Sequence, residues 1–380
     1  MDRGELTGWL RLALTPGVGD ATIRRLLAAF GPPQAIFAQP AAALRQLLTT
    51  AQAGALAQTP PALAEAVEAT LNWLAASGQD GAQRAFVTLG DARYPAALLA
   101  IEDPPPMLYL LGQIPEEHAP YPPAIAVVGS RNPTPQGALN ARQFARALCE
   151  AGLSIVSGLA LGIDGAAHEG ALQAAAGGAQ PATIAVIGTG IDRVYPSRHR
   201  ELAHRIAQRG LIVSEYPIGT PPIAANFPKR NRLIAALALG TLVVEAAPQS
   251  GSLITARLAA EQGKEVLAIP GSIHSAQSRG CHQLIRQGAK LVETAQDVLE
   301  ELPAAARATP ASAAAPAPAA AVQDADGLLR ALGADPVSLD ALQARTGLPT
   351  PDLQARLLEL ELQGHLGRLP GGLFQRLGQG

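Results

Sequence analysis

Aromatic side chains are scarce in this 380-residue chain; Phe, Trp and Tyr together make up 3% of it. The core must therefore be assembled from Ala, Leu, Ile and Val, and a surface paved with stacked aromatics is excluded. Lysine stands at only three positions, 229, 264 and 290, so arginine carries almost all the positive charge. The net charge of −2 excludes a uniformly basic surface that wraps duplex DNA, leaving local patches for any anionic partner. Cys149 and Cys281 have no metal-ligand spacing and are too few for a disulfide framework. No apolar run reaches the roughly 18 residues of a membrane span, and the N-terminal residues lack the basic-then-apolar pattern of a secretory signal. The expectation is a cytoplasmic protein that does not enter a membrane and holds no metal.

Hydrophobic residues make up 48%, enough to bury a core, and the length calls for two or three domains. From Pro303 to Val322 the chain is mostly Ala and Pro, a composition that forms a semi-extended linker rather than a core. The expected organisation is a helical domain over 1–80, an α/β domain over 85–302, a linker over 303–322 and a small domain over 323–380.

In the first region Leu10, Leu14, Ile23, Leu26, Leu27 and Phe30 recur with helical spacing. Between them, Thr15-Pro-Gly-Val-Gly-Asp-Ala21 reads either as a helix-hairpin-helix element or as a plain turn between packed helices. In the first case the backbone N–H groups around Gly17 and Gly19 would meet a phosphate.

The middle region alternates strand and helix. Apolar runs at 125–128, 154–156, 183–187, 211–213, 241–244 and 266–269 end abruptly in Gly, Ser or Glu. Such runs separated by amphipathic helices indicate a Rossmann-like, doubly wound parallel sheet covered on both faces. Ligands bind such sheets at the carboxyl ends of the strands, so the residues there are the candidate site. The first run leads into Gly129-Ser130-Arg131, where close backbone approach, a hydroxyl and a guanidinium meet the start of a helix, a pattern suited to phosphate. The second leads into Ser157-Gly158, then Asp164 and His168, four apart and either an acid/base pair or a structural contact. The third leads into Gly188-Thr-Gly190 and an arginine-rich stretch. Phe227-Pro-Lys229-Arg230-Asn231-Arg232, directly before the apolar run Leu233–Leu237, concentrates three cations and an aromatic at an expected helix start. It suits a nucleic-acid backbone with one stacked base. Ser250-Gly251-Ser252 forms another small-residue cradle, and Glu245 is either catalytic or a brace for an arginine. There is no nucleophile elbow and no clustered His/Cys spacing.

The last region reads as three helices and a short hairpin, a winged helix. Its presumed recognition helix, 351–364, carries Arg356 but also Asp352, Glu359 and Glu361, so it reads as a protein contact at least as well as a reader of duplex DNA.

Taken together, Gly129-Ser-Arg, Ser157-Gly-Leu-Ala-x-Gly-Ile-Asp, Phe227-Pro-Lys-Arg-Asn-Arg, Val244-Glu-Ala and Ser250-Gly-Ser-Leu-Ile-Thr-Ala256 resemble the DprA/Smf family over roughly residues 85–300. Pro270-Gly271 and Leu284-Ile-Arg-Gln-Gly-Ala289 agree with it. The resemblance implies a non-enzymatic protein without a cofactor. It would bind and protect incoming single-stranded DNA during natural transformation, load RecA onto it, and form a homodimer through the Rossmann-like domain. The implied binding residues are Arg131 and the run from Lys229 to Arg232; Gly129, Ser130, Ser157, Gly158, Ser250, Gly251 and Ser252 complete the expected site. Phe227, Gly17 and Gly19 are secondary contacts. The chain departs from many relatives at Leu161, where a basic residue is usual, and at His282, where Asn is usual. Two rival readings are a nucleotide hydrolase related to phosphoribohydrolases, whose Pro-Gly-Gly-x-Gly-Thr motif is absent here, and a winged-helix binder of duplex DNA.

Overall fold

The structure is a computed structural model and describes residues 2–174, 180–303, 327–332, 336–369 and 372–377. The chain opens with helices α1 (Arg3–Leu14), α2 (Asp20–Phe30), α3 (Pro33–Phe37), α4 (Ala41–Leu44), α5 (Thr50–Ala57) and α6 (Leu63–Ala75). Next come β1 (Gln83–Thr88), α7 (Ala96–Leu99), β2 (Met107–Gly112), β3 (Ala124–Val128), α8 (Pro135–Glu150), β4 (Ser154–Ser157) and α9 (Ile163–Ala174). The alternation continues through β5 (Thr183–Val186), α10 (Arg200–Arg209), β6 (Leu211–Ser214), α11 (Asn226–Leu237), β7 (Gly240–Val243), α12 (Ser252–Glu261), β8 (Glu265–Ala268), α13 (Arg279–Arg286), β9 (Lys290–Leu291) and α14 (Ala295–Glu301). The C-terminal elements are α15 (Gly327–Leu332), β10 (Val337–Ser338), α16 (Leu339–Thr346), α17 (Thr350–Leu362), β11 (Leu366–Leu369) and β12 (Leu373–Arg376).

Contacts divide the chain into two compact units, 1–122 with 156–159 and 176–238, and 123–155 with 160–175 and 239–380. In the first, the Asp2 side chain caps α1 by accepting from Glu5 N, and Thr49 with Gln52 forms a capping box on α5. Leu12, Val18, Ile23, Leu26, Ile36, Leu44, Leu48 and Leu56 fill the core between these helices. Each such leucine stabilises the fold by about 1.5–3 kcal/mol of apolar burial. The strands of this unit add an antiparallel ladder, β1 with β2 and β2 with β6, to the parallel pair β5 with β6.

In the second unit β3, β7, β8 and β9 pair in parallel. Ile125 and Val127 of β3, Leu242 of β7 and Leu267 of β8 are fully buried. Ala141 and Ala145 of α8 and Ala167 and Ala171 of α9 pack into the same core. At Gly170 of α9 a side chain would run into the backbone of Arg142 on α8, so a chain rich in alanine brings these two helices close. Thr134 caps α8 with Pro135 at its first position. In the C-terminal segment Leu328, Leu332, Leu342, Leu353, Leu357, Leu360, Leu366 and Phe374 form a separate small core under the three-stranded sheet β10-β12-β11. This is a winged helix.

The six expected strands are all present in a Rossmann-like arrangement. Unforeseen were the antiparallel pair β1 and β2 and the two-residue β9. Residues 229–232 lie inside α11, which starts at Asn226, instead of preceding a helix. Pro228 at the third position permits this, because the first-turn N–H it lacks would have had no helical acceptor. Of the expected linker at 303–322, all but Pro303 lies outside the described residues. Among the described residues no helix is long and apolar enough to cross a membrane.

Candidate functional site

In the second unit the chain leaves β3 at Gly129, where an added Cβ would lie 2.7 Å from Ile163 Cγ1 and 2.8 Å from Glu245 O. Only glycine fits there. Ser130 N donates to Glu245 O (2.7 Å), Ile163 N donates to Ser130 O (3.1 Å), and the buried Ser130 hydroxyl accepts from Asn132 N at 3.1 Å. The loop is thus held from both sides, while Arg131 and Asn132 are exposed at its tip. The Arg131 guanidinium has no hydrogen bond or ion pair among the described residues. Its charge is presented to solvent from a fixed backbone.

The start of α8 is occupied differently from what the sequence suggests. The Glu245 carboxylate accepts from Thr134 N at 2.9 Å and from Thr134 Oγ1 at 2.6 Å, and Gly137 lies directly against it. Burial raises the Glu245 pKa, and the two Thr134 hydrogen bonds oppose the rise. The anion-seeking end of the helix is therefore served by the chain's own carboxylate. In the Ser250–Ser252 turn the two hydroxyls are 2.7 Å apart and satisfy each other; Ser252 is buried and Gly251 exposed. Asp164 and His168 are both buried within α9, and Asp164 Oδ2 accepts from Ala160 N at 3.4 Å. His282 Nε2 lies 2.9 Å from Gly271 O. Leu161 is half-buried. A cleft of about 600 Å³ runs between α12 and α13, bordered by Arg257, Lys264, Gln283 and Gln287. Burial there pushes the Lys264 amine down to about 8.

In the first unit the basic run of α11 is split by burial. Arg230 is 4% exposed; it donates to Val186 O and packs against Gly158, where a side chain would collide with the guanidinium. Ser157 beside it is completely buried. Leu159, next in sequence, holds a left-handed backbone (φ 56°) that a side-chain-bearing residue rarely adopts. Arg232 is also buried and makes a bidentate pair with Glu215, at 2.8 and 2.6 Å, with Asp103 at 3.2 Å. Burial opposes the Arg232 charge, but Glu215 and Asp103 outweigh it and raise its pKa. Asn231 is half-buried.

Lys229 alone of the three cations reaches the surface. Its Nζ lies 2.6 Å from Asp20 at the start of α2, 3.6 Å from Glu215 and 5.8 Å from the Tyr216 ring centroid. Burial works against its charge, yet Glu215 and Asp20 hold its pKa above the ordinary lysine value. In the hairpin before α2, Gly17 takes a left-handed turn (φ 76°) and its carbonyl accepts from Gln52 Nε2 at 2.7 Å; Gly19 caps α2 with nothing near it. The half-buried Phe227 ring rests on Gly188 and lies 5.4 Å from the ring of Tyr195. Reasoning from sequence did not single out Glu215, Asp103, Asp20 or Tyr195. For Glu215 the signal was available, an acid immediately following a strand.

A protein-family model described as DNA recombination-mediator protein A matches residues 85–303, and a DprA winged helix domain model matches residues 312–372. The chain belongs to the DprA/Smf family. It is 40% identical to Protein Smf of Escherichia coli strain K12 over 81% of this chain and 80% of that protein. With DNA processing protein DprA of Streptococcus pneumoniae it shares 48% identity over 57% of this chain and 73% of the relative. The solved S. pneumoniae DprA structure superposes with a TM-score of 0.62 at 35% identity, covering 80% of this chain and 99% of the other. A structure giving insight into the single-stranded DNA binding mode of DNA processing protein A from Helicobacter pylori superposes at 0.51, with 32% identity over 58% of this chain and 98% of that one.

Proposed function

We propose that this family member is a non-enzymatic binder of single-stranded DNA that protects incoming strands during natural transformation, passes them to RecA, and works in the cytoplasm as a homodimer formed through its Rossmann-like domain. The observation that carries the reading is Arg131: an exposed, unengaged guanidinium at the carboxyl end of a strand, on a loop held rigid by Ser130, Ile163 and Glu245. Such a group takes a phosphate without first breaking an internal contact and without ordering a loop. Lys229 is the second anchor, and the exposed Gly251 backbone a third point of approach. In the first unit Arg230, Arg232, Ser157 and Gly158 support the helix that carries Lys229; in the second Ser130 and Ser252 orient their own loops. The H. pylori relative, studied for its single-stranded DNA binding mode, supports the same assignment. So does the engagement of Glu245 with Thr134, which removes that carboxylate from general-base duty.

The test is Arg131→Ala combined with Lys229→Ala. Affinity for a single-stranded oligonucleotide should fall about tenfold or more at moderate salt. The slope of log affinity against log salt should flatten by about 0.7 per lost phosphate contact, with unfolding stability lowered by no more than about 1 kcal/mol. Unchanged affinity sinks the proposed anchors, and turnover of a nucleotide by the parent sinks the non-enzymatic reading.

A further inference from the structure

Tyr195 is half exposed, and it is the one aromatic among the large apolar side chains left exposed by the described residues. In a chain with so few aromatics, an exposed ring is conspicuous. Burial is the larger reward for tyrosine unless the ring has a partner in solution. Its one protein neighbour of the same kind is Phe227, with ring planes inclined at 34° and centroids 5.4 Å apart.

The loop carrying it is well ordered. Thr189 Oγ1 donates to Arg193 O at 2.9 Å, and Arg193 N donates to Gly190 O at 3.0 Å. Gly190 N donates to Thr220 O at 3.0 Å, and Gly219 N donates to Asp192 Oδ1 at 2.9 Å. On the far side, the His199 ring nitrogen Nδ1 lies 3.0 Å from Leu159 O. Phe227 is fixed in turn: its ring presses on Gly188, where a Cβ would sit 2.9 Å from Cδ1, and Asn226 Nδ2 donates to Gly188 O at 3.2 Å. Two rings are thus held by two anchored segments, with half of Tyr195 left to solvent.

The exposed charges of this stretch are three arginines against Asp192 and Glu201. Arg193, Arg198 and Arg200 are all exposed. The guanidinium groups of Arg198 and Arg200 have no hydrogen bond or ion pair among the described residues, and that of Arg193 has only a loose contact with Asp192 at 3.7 Å. Lys229 lies two residues beyond Phe227 on α11. A half-exposed ring on a pinned segment, with guanidinium groups three and five residues further along it, fits a flat aromatic ring attached to an anionic chain. In a duplex both faces of a base are already stacked, so the matching partner is an unpaired nucleobase.

We infer that Tyr195, braced by Phe227, is a stacking platform for one unpaired base of the bound strand, and that Arg198 and Arg200 hold the phosphates flanking that base. The inference rests on the proposed single-stranded DNA binding and adds a contact to the base. The strand is consequently gripped by ring stacking as well as by charge, in a manner indifferent to sequence because every base has a face to offer.

The experiment compares parent, Tyr195→Ala and Tyr195→Phe on two oligonucleotides of equal length, one normal and one made of abasic nucleotides. On the normal strand Tyr195→Ala should bind about tenfold more weakly with an unchanged salt slope, while Tyr195→Phe binds like the parent. On the abasic strand the parent and Tyr195→Ala should bind alike. Full affinity of Tyr195→Ala for the normal strand overturns the platform, and so does an equal loss on both strands, which would mark a structural role. Failure of the underlying reading shows elsewhere: a parent that binds neither strand, or binding untouched by Arg131→Ala with Lys229→Ala.

Discussion

Arg131 and Arg232 are the same side chain used in opposite ways. Arg131 tops a loop whose backbone is pinned and whose guanidinium is left to solvent. Arg232 is buried, clamped by both oxygens of Glu215 and also engaged with Asp103. In the sequence both stand in clusters beside Asn and Pro. What separates them is burial: α11 is enclosed at Arg230 and from Arg232 to Ala236, whereas the Gly129-Ser-Arg loop precedes its helix and leaves its charge exposed. A cluster of cations is therefore a poor guide to a binding surface until the burial of each is known.

The comparison predicts a division of labour that substitution can break. Arg232→Ala leaves Glu215 buried without its principal cation and should lower unfolding stability by about 3–5 kcal/mol in urea denaturation. Replacing both partners, Arg232→Met with Glu215→Leu, should recover most of that loss. If Arg232→Ala instead keeps its stability and loses DNA affinity, Arg232 is no buried brace and the two arginines are alike. A smaller effect sharpens the comparison at Lys229, which stands between the extremes. Asp20→Asn removes the carboxylate nearest the amine and should raise affinity for single strands by no more than about fivefold at low salt, because a half-exposed pair of this kind contributes under about 1 kcal/mol. An unchanged or lowered affinity would assign Asp20 a purely structural part in seating α2.

Much of this was legible in the sequence. Runs such as 125–128 and 241–244 are apolar at every position and end in Gly or Glu, which is what a strand buried on both faces requires. The winged helix was equally plain from its leucine spacing. The strand β1 was not, because Gln83 and Arg84 open it and its alternation is short. The boundary of α11 was missed because Pro228 and five polar residues hide the first turns of a helix whose apolar half begins at Leu233. The carboxylates that neutralise the arginines, Glu215 and Asp103, lie 17 and 129 residues from Arg232; pairings of that kind are made by topology and leave no local pattern. Glu245 shows the same limit. An acid after a strand was visible, but its reach to Thr134, 111 residues earlier, was not.

The scarcity of lysine has a practical consequence. With side-chain amines only at 229, 264 and 290, an acylating reagent reports on three places that peptide mass readily tells apart. Lys264, whose amine loses its proton near pH 8, should be labelled at a mildly alkaline pH where ordinary lysines, near 10.5, are still mostly protonated. Lys290 is half exposed and pairs with Glu301 at 3.4 Å, which makes it an internal standard. At a higher pH, where all three amines are labelled, added single-stranded DNA should suppress labelling at Lys229 and leave Lys290 unchanged. Equal labelling of Lys229 with and without DNA would place the strand elsewhere.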